Sequence, residues 1–404
     1  MSSSAVVPPA GQPPKLTAKD VQSYLMRTTG PQPFFTQTYS NLSTFNIPKN
    51  IPLQLPLAFI QIRWKGRIAV ATAAATPAPE APQNILQRIQ LQGTHATLGT
   101  LMPIQMSGAT LFQLNRIFGV RGNSVIINNN RYVQEDQIAL GLANAANPVP
   151  GYPQFGSIGN FDTQIFWTIP VFPYNVPDAQ AVQYLFNAAS WGQTLQLQIV
   201  TADATAFNFV PANTTFTAFG SASGSPAIDI MLVYASLGPL RNSIAQAVSV
   251  KNVFSISTIL QSNANNVRLQ LLQNQRTQNV VVKTGTTLAG TSAGVSAFGT
   301  ISDTILEQTY LRVNNNPIRN LQYNDATKEF YGYRFDTVLP LGYNNISFTD
   351  SNPIPNAFSG FKGERLPGSA QFDVASNVVG AAGTNIGEVV QDMVYGEPQV
   401  AGAA

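Results

Sequence analysis

Residues 225–240, SPAIDIMLVYASLGPL, decide the reading of the fold. Ile228, Ile230, Leu232 and Tyr234 alternate with Asp229, Met231 and Val233. A period of two, rich in β-branched and aromatic residues, predicts a strand with one face buried. Gly238-Pro239 ends it, because proline has no ladder N–H and pushes the residue before it out of the helical region. Such a strand, stopping just past the midpoint of 404 residues, marks the last strand of one domain and the seam to another. Beyond it, Ile244, Ala247 and Val248 fall on one face of a short helix, so the connection is expected to be stiff.

Composition separates assembly from catalysis. Hydrophobic residues make up 44% of the chain, but charged residues only 10%, against roughly 25% in ordinary soluble domains. Asn, Gln, Ser and Thr take their place. An uncharged polar surface can be covered by another protein without stripping water from ions, which costs several kcal/mol per unpaired charge. The net charge of +3 is mild and names no nucleic-acid binder. Lys15, Lys19, Arg27 and Lys49 lie towards the N-terminus, whereas Asp373, Glu388, Asp392 and Glu397 follow Arg365. That gradient fits either chance or a basic end turned to anionic lipid or DNA. The chain has no Cys, which excludes disulfides and thiolate chemistry. No apolar run reaches membrane-spanning length. MSSSAVVPPAGQPPK, at the start, lacks the features of a secretory signal and reads as a Pro-rich tail.

Along the chain, Thr17–Arg27 predicts a short amphipathic helix, with Thr17 as cap and Val21, Tyr24 and Leu25 on one face. Strands follow at 42–50, 56–70, 84–93, 161–174 and 194–200. In 56–70, Ile60, Ile62 and Trp64 face one way and Gln61, Arg63 and Lys65 the other, with Gly66 at a bulge or turn. Ser107 caps a helix carrying Leu111, Leu114 and Phe118. A second helix is expected over 176–190, with Pro177 at its start. The later half gives strands at 250–260, 267–273, 279–285 and 369–376, and two aromatic strands within 330–352. A helix from Ser302 to about Val313 ends at Asn314-Asn315-Asn316-Pro317. The Gly/Ala-rich 380–387 and the remainder to Ala404 read as a terminal extension. This frequency of strands, with one prominent helix per half, gives an all-β sandwich or jelly-roll class.

Candidate chemistry is sparse. Gly290-Thr291-Ser292-Ala293-Gly294 matches G-x-S-x-G, but a nucleophile elbow needs a strand running in and a helix running out. The motif sits instead in a small-residue loop, and His95, the only histidine, precedes it. His95 has no second His or acidic pair beside it and reads as a loop or core residue. Glu135-Asp136 are adjacent, so on a strand they point to opposite faces. Asn41, Asn213 and Asn345 begin glycosylation sequons of the kind expected by chance here. Phe166, Trp167, Phe172 and Tyr174 could stack sugars or bases, but on an alternating strand they read as core. No catalytic or cofactor-binding residue is assigned, no cofactor is expected, and no metal-ligand set is identified.

Several stretches carry a family resemblance. FFTQTYSNLSTFNIPKN (34–50) leading into FIQIRWKGRIAV (59–70), NILQRIQLQG (84–93) before a helix, and the run 161–200 are similar in order and spacing to the first barrel of one family. VLPLGYNNISFTDSNPIP (338–355) followed by GSAQFDVASN (368–377) resembles the closing strands of its second barrel. That family is the double jelly-roll major capsid proteins of tailless, membrane-containing, tectivirus-type bacteriophages, distant relatives of adenovirus hexon. The resemblance implies two consecutive jelly-roll barrels with a few short helices: an arm at 1–33, barrels at 34–238 and 239–380, and a tail at 381–404. It also implies a non-enzymatic virion protein, assembled in the host cytoplasm as homotrimers that tile an icosahedral shell over an internal membrane. Its partners would be neighbouring trimers, minor vertex or membrane-associated proteins, and the membrane itself through the arm, with no specific nucleic acid. A receptor- or carbohydrate-binding β-sandwich of a virion spike and a hydrolase on a β scaffold are the alternatives.

Overall fold

The computed structural model describes residues 29–47, 50–71, 80, 82–118, 122–133, 158–171, 184–202, 214–235, 250–260, 267–270, 276–287, 298–301, 306–313, 316–322, 339, 342–347, 364–365, 370–376 and 385–395. The first half contains β1 (Gln32–Thr38), β2 (Thr44–Asn46), β3 (Leu57–Val70), β4 (Leu86–His95), β5 (Gly99–Met106), β6 (Ser124–Ile127), β7 (Asn130–Val133), β8 (Gly159–Pro170), β9 (Gln196–Thr201), β10 (Thr214–Thr217) and β11 (Ala227–Tyr234). Its helices are α1 (Gly108–Ile117) and α2 (Ala188–Trp191). The second half contains β12 (Val250–Leu260), β13 (Val267–Gln270), β14 (Arg276–Thr287), β15 (Phe298–Ile301), β16 (Leu306–Val313), β17 (Asn316–Gln322), β18 (Tyr343–Ser347), β19 (Glu364–Arg365), β20 (Ala370–Ser376) and β21 (Asn385–Tyr395).

Among the described residues these strands form sheets of seven, ten and four. The chain crosses repeatedly between sheets, and the crossings follow one plan twice. In the first half the orders are β1-β11-β3-β8 and β2-β9-β4-β5; in the second they are β12-β21-β14-β18 and β13-β20-β16-β17. First strand beside last strand beside third is the jelly-roll order, and the chain runs through it twice. The fold is a double jelly roll.

Alternation explains the first barrel. In β3, Ile60, Ile62, Trp64 and Ile68 are fully buried, while Gln61, Arg63, Lys65 and Arg67 are half-exposed on the other face. β11 behaves as its sequence predicts: Ile228, Ile230, Leu232 and Tyr234 point inward and Asp229, Met231 and Val233 outward. They meet Ile89 and Leu91 of β4 and Leu197 and Ile199 of β9 in one buried cluster. Ser107 caps α1 by accepting a hydrogen bond from the Thr110 N–H at 3.0 Å. This leaves Leu111, Phe112 and Leu114 buried.

Several expectations are corrected. Gly66 is neither bulge nor turn; β3 runs through it unbroken. A Cβ there would lie 2.7 Å from the Pro226 Cβ and 2.7 Å from the Trp64 ring, so glycine gives the indole its bed. Of the helix expected over 176–190, Leu185–Asn187 is not helical and α2 begins only at Ala188, while 172–183 lie outside the described residues. The helix expected over 302–313 is strand β16, paired on both sides by β17 and β20. Thr309, Tyr310 and Val313 are strand formers. The Asn run that reads as a helix stop joins two strands: Val313 pairs with Asn316, leaving a two-residue connection. Asn128 and Asn129 do the same between β6 and β7 with positive φ of 47° and 68°, as a type I′ turn requires. The two hairpins nevertheless occupy different places in the repeated plan. Finally, the expected terminal extension contains β21, which lies between β12 and β14. The helices expected at 17–27 and 240–249 lie outside the described residues.

A Gly66→Ala variant is expected to lose about 1–3 kcal/mol, the usual cost of overpacking a filled core. Denaturant unfolding followed by tryptophan fluorescence measures it.

Candidate functional site: the seam between the halves

The halves are joined by a shared sheet. β5 ends the β2-β9-β4-β5 run of the first barrel, and β12 pairs with it in parallel, Val253 beside Ile104 and Phe254 beside Gln105. An unpaired edge strand offers a row of free N–H and C=O groups for unwanted pairing, and β12 removes that edge from β5. The core follows the sheet across: Val281, Leu339, Tyr343 and Val390 belong to the same buried cluster as the first-half residues.

Charge is buried at this junction. Tyr343, Lys283 and Glu388 stand in one row across β18, β14 and β21. The first half contributes Glu80, before β4, and Thr110, in the first turn of α1. Lys283 Nζ lies 2.5 Å from Glu80 Oε1 and 3.5 Å from Glu388 Oε2. The Thr110 hydroxyl donates to Glu388 at 2.8 Å, and the Tyr343 hydroxyl donates to Glu80 at 3.2 Å. The Ser107 hydroxyl donates in turn to Thr110 Oγ1 at 2.9 Å, so the cap of α1 is tied to the cluster. Lys283, Tyr343 and Thr110 are at most 1% exposed. Burial, then the neighbouring Glu80 and Glu388 carboxylates, push the Tyr343 phenol well above its ordinary range. It therefore stays a donor. Glu388 also sits at the positive end of α1, where a carboxylate is favoured. Its described residues are buried, and it clasps one half to the other.

Sequence reading missed this cluster, naming only Glu388 as part of an acidic end. The available signal was Lys283 directly after Val280-Val281-Val282, because a cation at the end of a wholly buried run needs a partner.

Among the described residues, the sequence candidates are not brought together. His95 is 3% exposed at the end of β4. Its Nδ1 accepts from the Thr97 and Leu98 N–H groups at 3.3 Å each, and its ring meets Trp191 edge-on at 5.2 Å. Burial lowers its pKa. It closes the β4–β5 turn as a neutral imidazole. Gly290–Gly294 lies outside the described residues, between the antiparallel strands β14 and β15. Glu135, Asp136, Phe172, Tyr174 and Asn213 also lie outside them. Trp167 is core, whereas Phe166 is half-exposed on the opposite face. Asn41 is exposed in a turn, and Asn345 is buried within β18. Among the described residues, no three His, Asp or Glu side chains converge to hold a metal.

The outer face of β11-β3-β8 carries charge in cross-strand pairs. Arg63 donates to Asp229 through Nε and Nη2 at 2.8 and 2.6 Å. Arg67 donates to both Asp162 oxygens at 2.7 and 3.1 Å. The Arg67 guanidinium, aided by the Gly220 N–H, holds the Asp162 carboxyl below its ordinary range.

The solved structures similar in fold to this chain are double jelly-roll major capsid proteins. The chain is similar in fold to the major capsid protein of Sulfolobus turreted icosahedral virus, with TM-score 0.52, 16% identity, and 89% of this chain and 96% of that one covered. For the major capsid protein P2 from bacteriophage PM2 the values are 0.50, 8%, 92% and 98%. For the Faustovirus major capsid protein they are 0.53, 9%, 91% and 89%. No family model and no curated protein sequence matches the chain.

Removing the lysine with Lys283→Met leaves two buried carboxylates facing each other. The expected loss is about 3–5 kcal/mol, measured by chemical denaturation, with Glu388→Gln costing less because the Glu80 contact survives. Tyr343 sets an alkaline limit. With its folded pKa raised, its contribution is complete below the unfolded value of about 10 and is lost as pH rises beyond it. Tyr343→Phe is expected to flatten the fall in melting temperature above pH 10.

Proposed function

We propose that this chain is the major capsid protein of an icosahedral virus, a structural component and not an enzyme. Three copies would stand together so that six barrels outline a pseudo-hexagonal tile, and tiles would build the shell. The observation that carries this reading is the extent of the likeness. It covers nine-tenths or more of both this chain and the PM2 capsid protein, so it takes in both barrels and the junction between them. We divide the chain at residue 239, assign β21 to the second barrel, and shorten the arm expected at 1–33 to residues 1–28, because Thr29 bonds to Tyr234 and β1 starts at Gln32.

The physical chemistry supports it. A tile needs two barrels held at a fixed angle, and the continuous sheet with its buried cluster is suited to that. An obligate trimer interface would bury roughly 2,000–5,000 Å², and a chain with 10% charged residues leaves few ions to desolvate. The arm enters the fold at a fixed point: the Thr29 N–H donates to the Tyr234 carbonyl at 2.9 Å, and the Tyr234 N–H donates to Thr29 Oγ1 at 3.0 Å. From there residues 1–28, with Lys15, Lys19 and Arg27, would reach an internal membrane, a neighbouring tile or a minor virion protein. Assembly in the host cytoplasm completes the proposal.

Light scattering on the purified chain tests it. Three chains of 43.4 kDa predict about 130 kDa, and a stable monomer that binds glycans would contradict the proposal in favour of a receptor-binding sandwich. Deleting residues 1–28 spares the Thr29–Tyr234 anchor, so the trimer should persist with an unchanged melting temperature while shell formation is lost. Normal shells from that truncation would remove the arm from assembly.

A further inference from the structure

The two outer faces of the first barrel differ in chemistry. The face of β11-β3-β8 carries Arg63, Lys65, Arg67, Asp162 and Asp229. The face of β5-β4-β9-β2 carries amides. Register places Gln105, Gln90, Gln198 and Asn46 side by side across all four strands. One row further along, Gln92 stands opposite Gln196, whose Nε2 donates to Asn50 Oδ1 at 3.1 Å. Within the first row Gln198 Nε2 donates to Asn46 Oδ1 at 2.6 Å, and the rows are linked by Gln90 Nε2 donating to Gln92 Oε1 at 3.2 Å. Gln92, Gln196, Asn46 and Asn50 are exposed, while Gln90, Gln198 and Gln105 are half-exposed. Arg88 is the charged residue at the margin, donating to Gln198 at 3.2 Å.

A solvated strand face normally mixes Thr with charged residues, and Asn and Gln have little strand propensity of their own. Amides cost less than ions to strip of water. Each carboxamide offers two donors and two acceptor lone pairs, and the bonds within the face use only part of that capacity. An amide face is thus complementary to a copy of itself: it has no net charge to repel, and donors and acceptors lie in every row. Stacked Asn and Gln side chains pair in this way between like sheets.

We infer that this amide face is a contact between copies of the chain, and that it joins one trimer to the next; the inference rests on the capsid reading above. Size makes the second distinction. Strands about 4.8 Å apart and rows about 7 Å apart give a patch of roughly 300 Å² per copy. That is well below the roughly 800 Å² per partner of a stable specific interface. A contact this small is weak on its own, as a lateral contact must be if misplaced tiles are to leave, and it gains strength only by repetition around a shell.

Charge reversal across the face tests this. Asn46 and Gln92 are both exposed and not neighbours in register, so Asn46→Lys/Gln92→Lys and Asn46→Glu/Gln92→Glu should each fold and form trimers with the wild-type melting temperature. Assembly into larger particles, followed by light scattering, should need at least tenfold more protein for either variant alone. An equimolar mixture of the two should return to near the wild-type concentration, because opposite charges then meet. Gln61→Lys, on the charged face, should assemble as wild type. Assembly of both double variants at the wild-type concentration would overturn the inference. Loss of the trimer would move the face to the trimer interface and overturn it equally. Loss of binding to a glycan array with assembly intact would make the amides a sugar site. Failure of the unmodified chain to form trimers or larger particles would instead count against the capsid reading, and is read separately.

Discussion

The parallel pairing of β12 with β5 is the contact on which the rest depends. A jelly roll leaves edges on its sheets, and an open edge recruits any strand that reaches it. In this chain the edge of one barrel is covered by the first strand of the next, so that two barrels become one body with a common sheet and a shared core. The pairing is short, limited to Val253 beside Ile104 and Phe254 beside Gln105. Its angle must be fixed by something else. The Lys283 cluster does so with directional bonds, and its Lys283–Glu80, Thr110–Glu388 and Tyr343–Glu80 contacts each bring together groups from both halves. A purely apolar junction would hold the halves together but would allow them to slide. Buried polar contacts fix register at some cost in stability.

Two barrels with the same strand order meet different demands. Within the first, the face of β11-β3-β8 pairs its charges with each other, Arg63 with Asp229 and Arg67 with Asp162, so they remain satisfied whether or not water reaches them. The face of β5-β4-β9-β2 avoids charge. Both are ways of building a polar surface that is cheap to cover.

Strands buried on one face were legible from sequence. β3, β4, β8, β9 and β11 alternate cleanly, and Ser107 announces α1. The repetition of the barrel was visible as a style but not as an order, because pairing between the first and last strands of each barrel leaves no local trace. β21 was lost for a specific reason. Its residues from Gly387 to Met393 are buried on both faces, yet Glu388, Gln391 and Asp392 interrupt the apolar run. Each is satisfied from elsewhere: Glu388 by Lys283 and Thr110, Gln391 by Thr277, and Asp392 by Asn279. Polar residues with partners about a hundred positions away or more look like a solvated tail. β16 was lost because Ile305, Leu306, Tyr310 and Val313 fit a helical face as well as a strand, and the hairpin with β17 decided between them. The stretch 225–240 gave the last strand of the first barrel correctly, but the physical seam lies in β5 and β12, which no sequence period connects.

A low-resolution electron-microscopy map of the purified full-length chain tests the central claim most directly. The account predicts a three-fold particle with six barrel-sized lobes, paired at one constant angle, in a near-hexagonal outline. A single-chain particle, or two lobes whose relative angle varies from image to image, would contradict it.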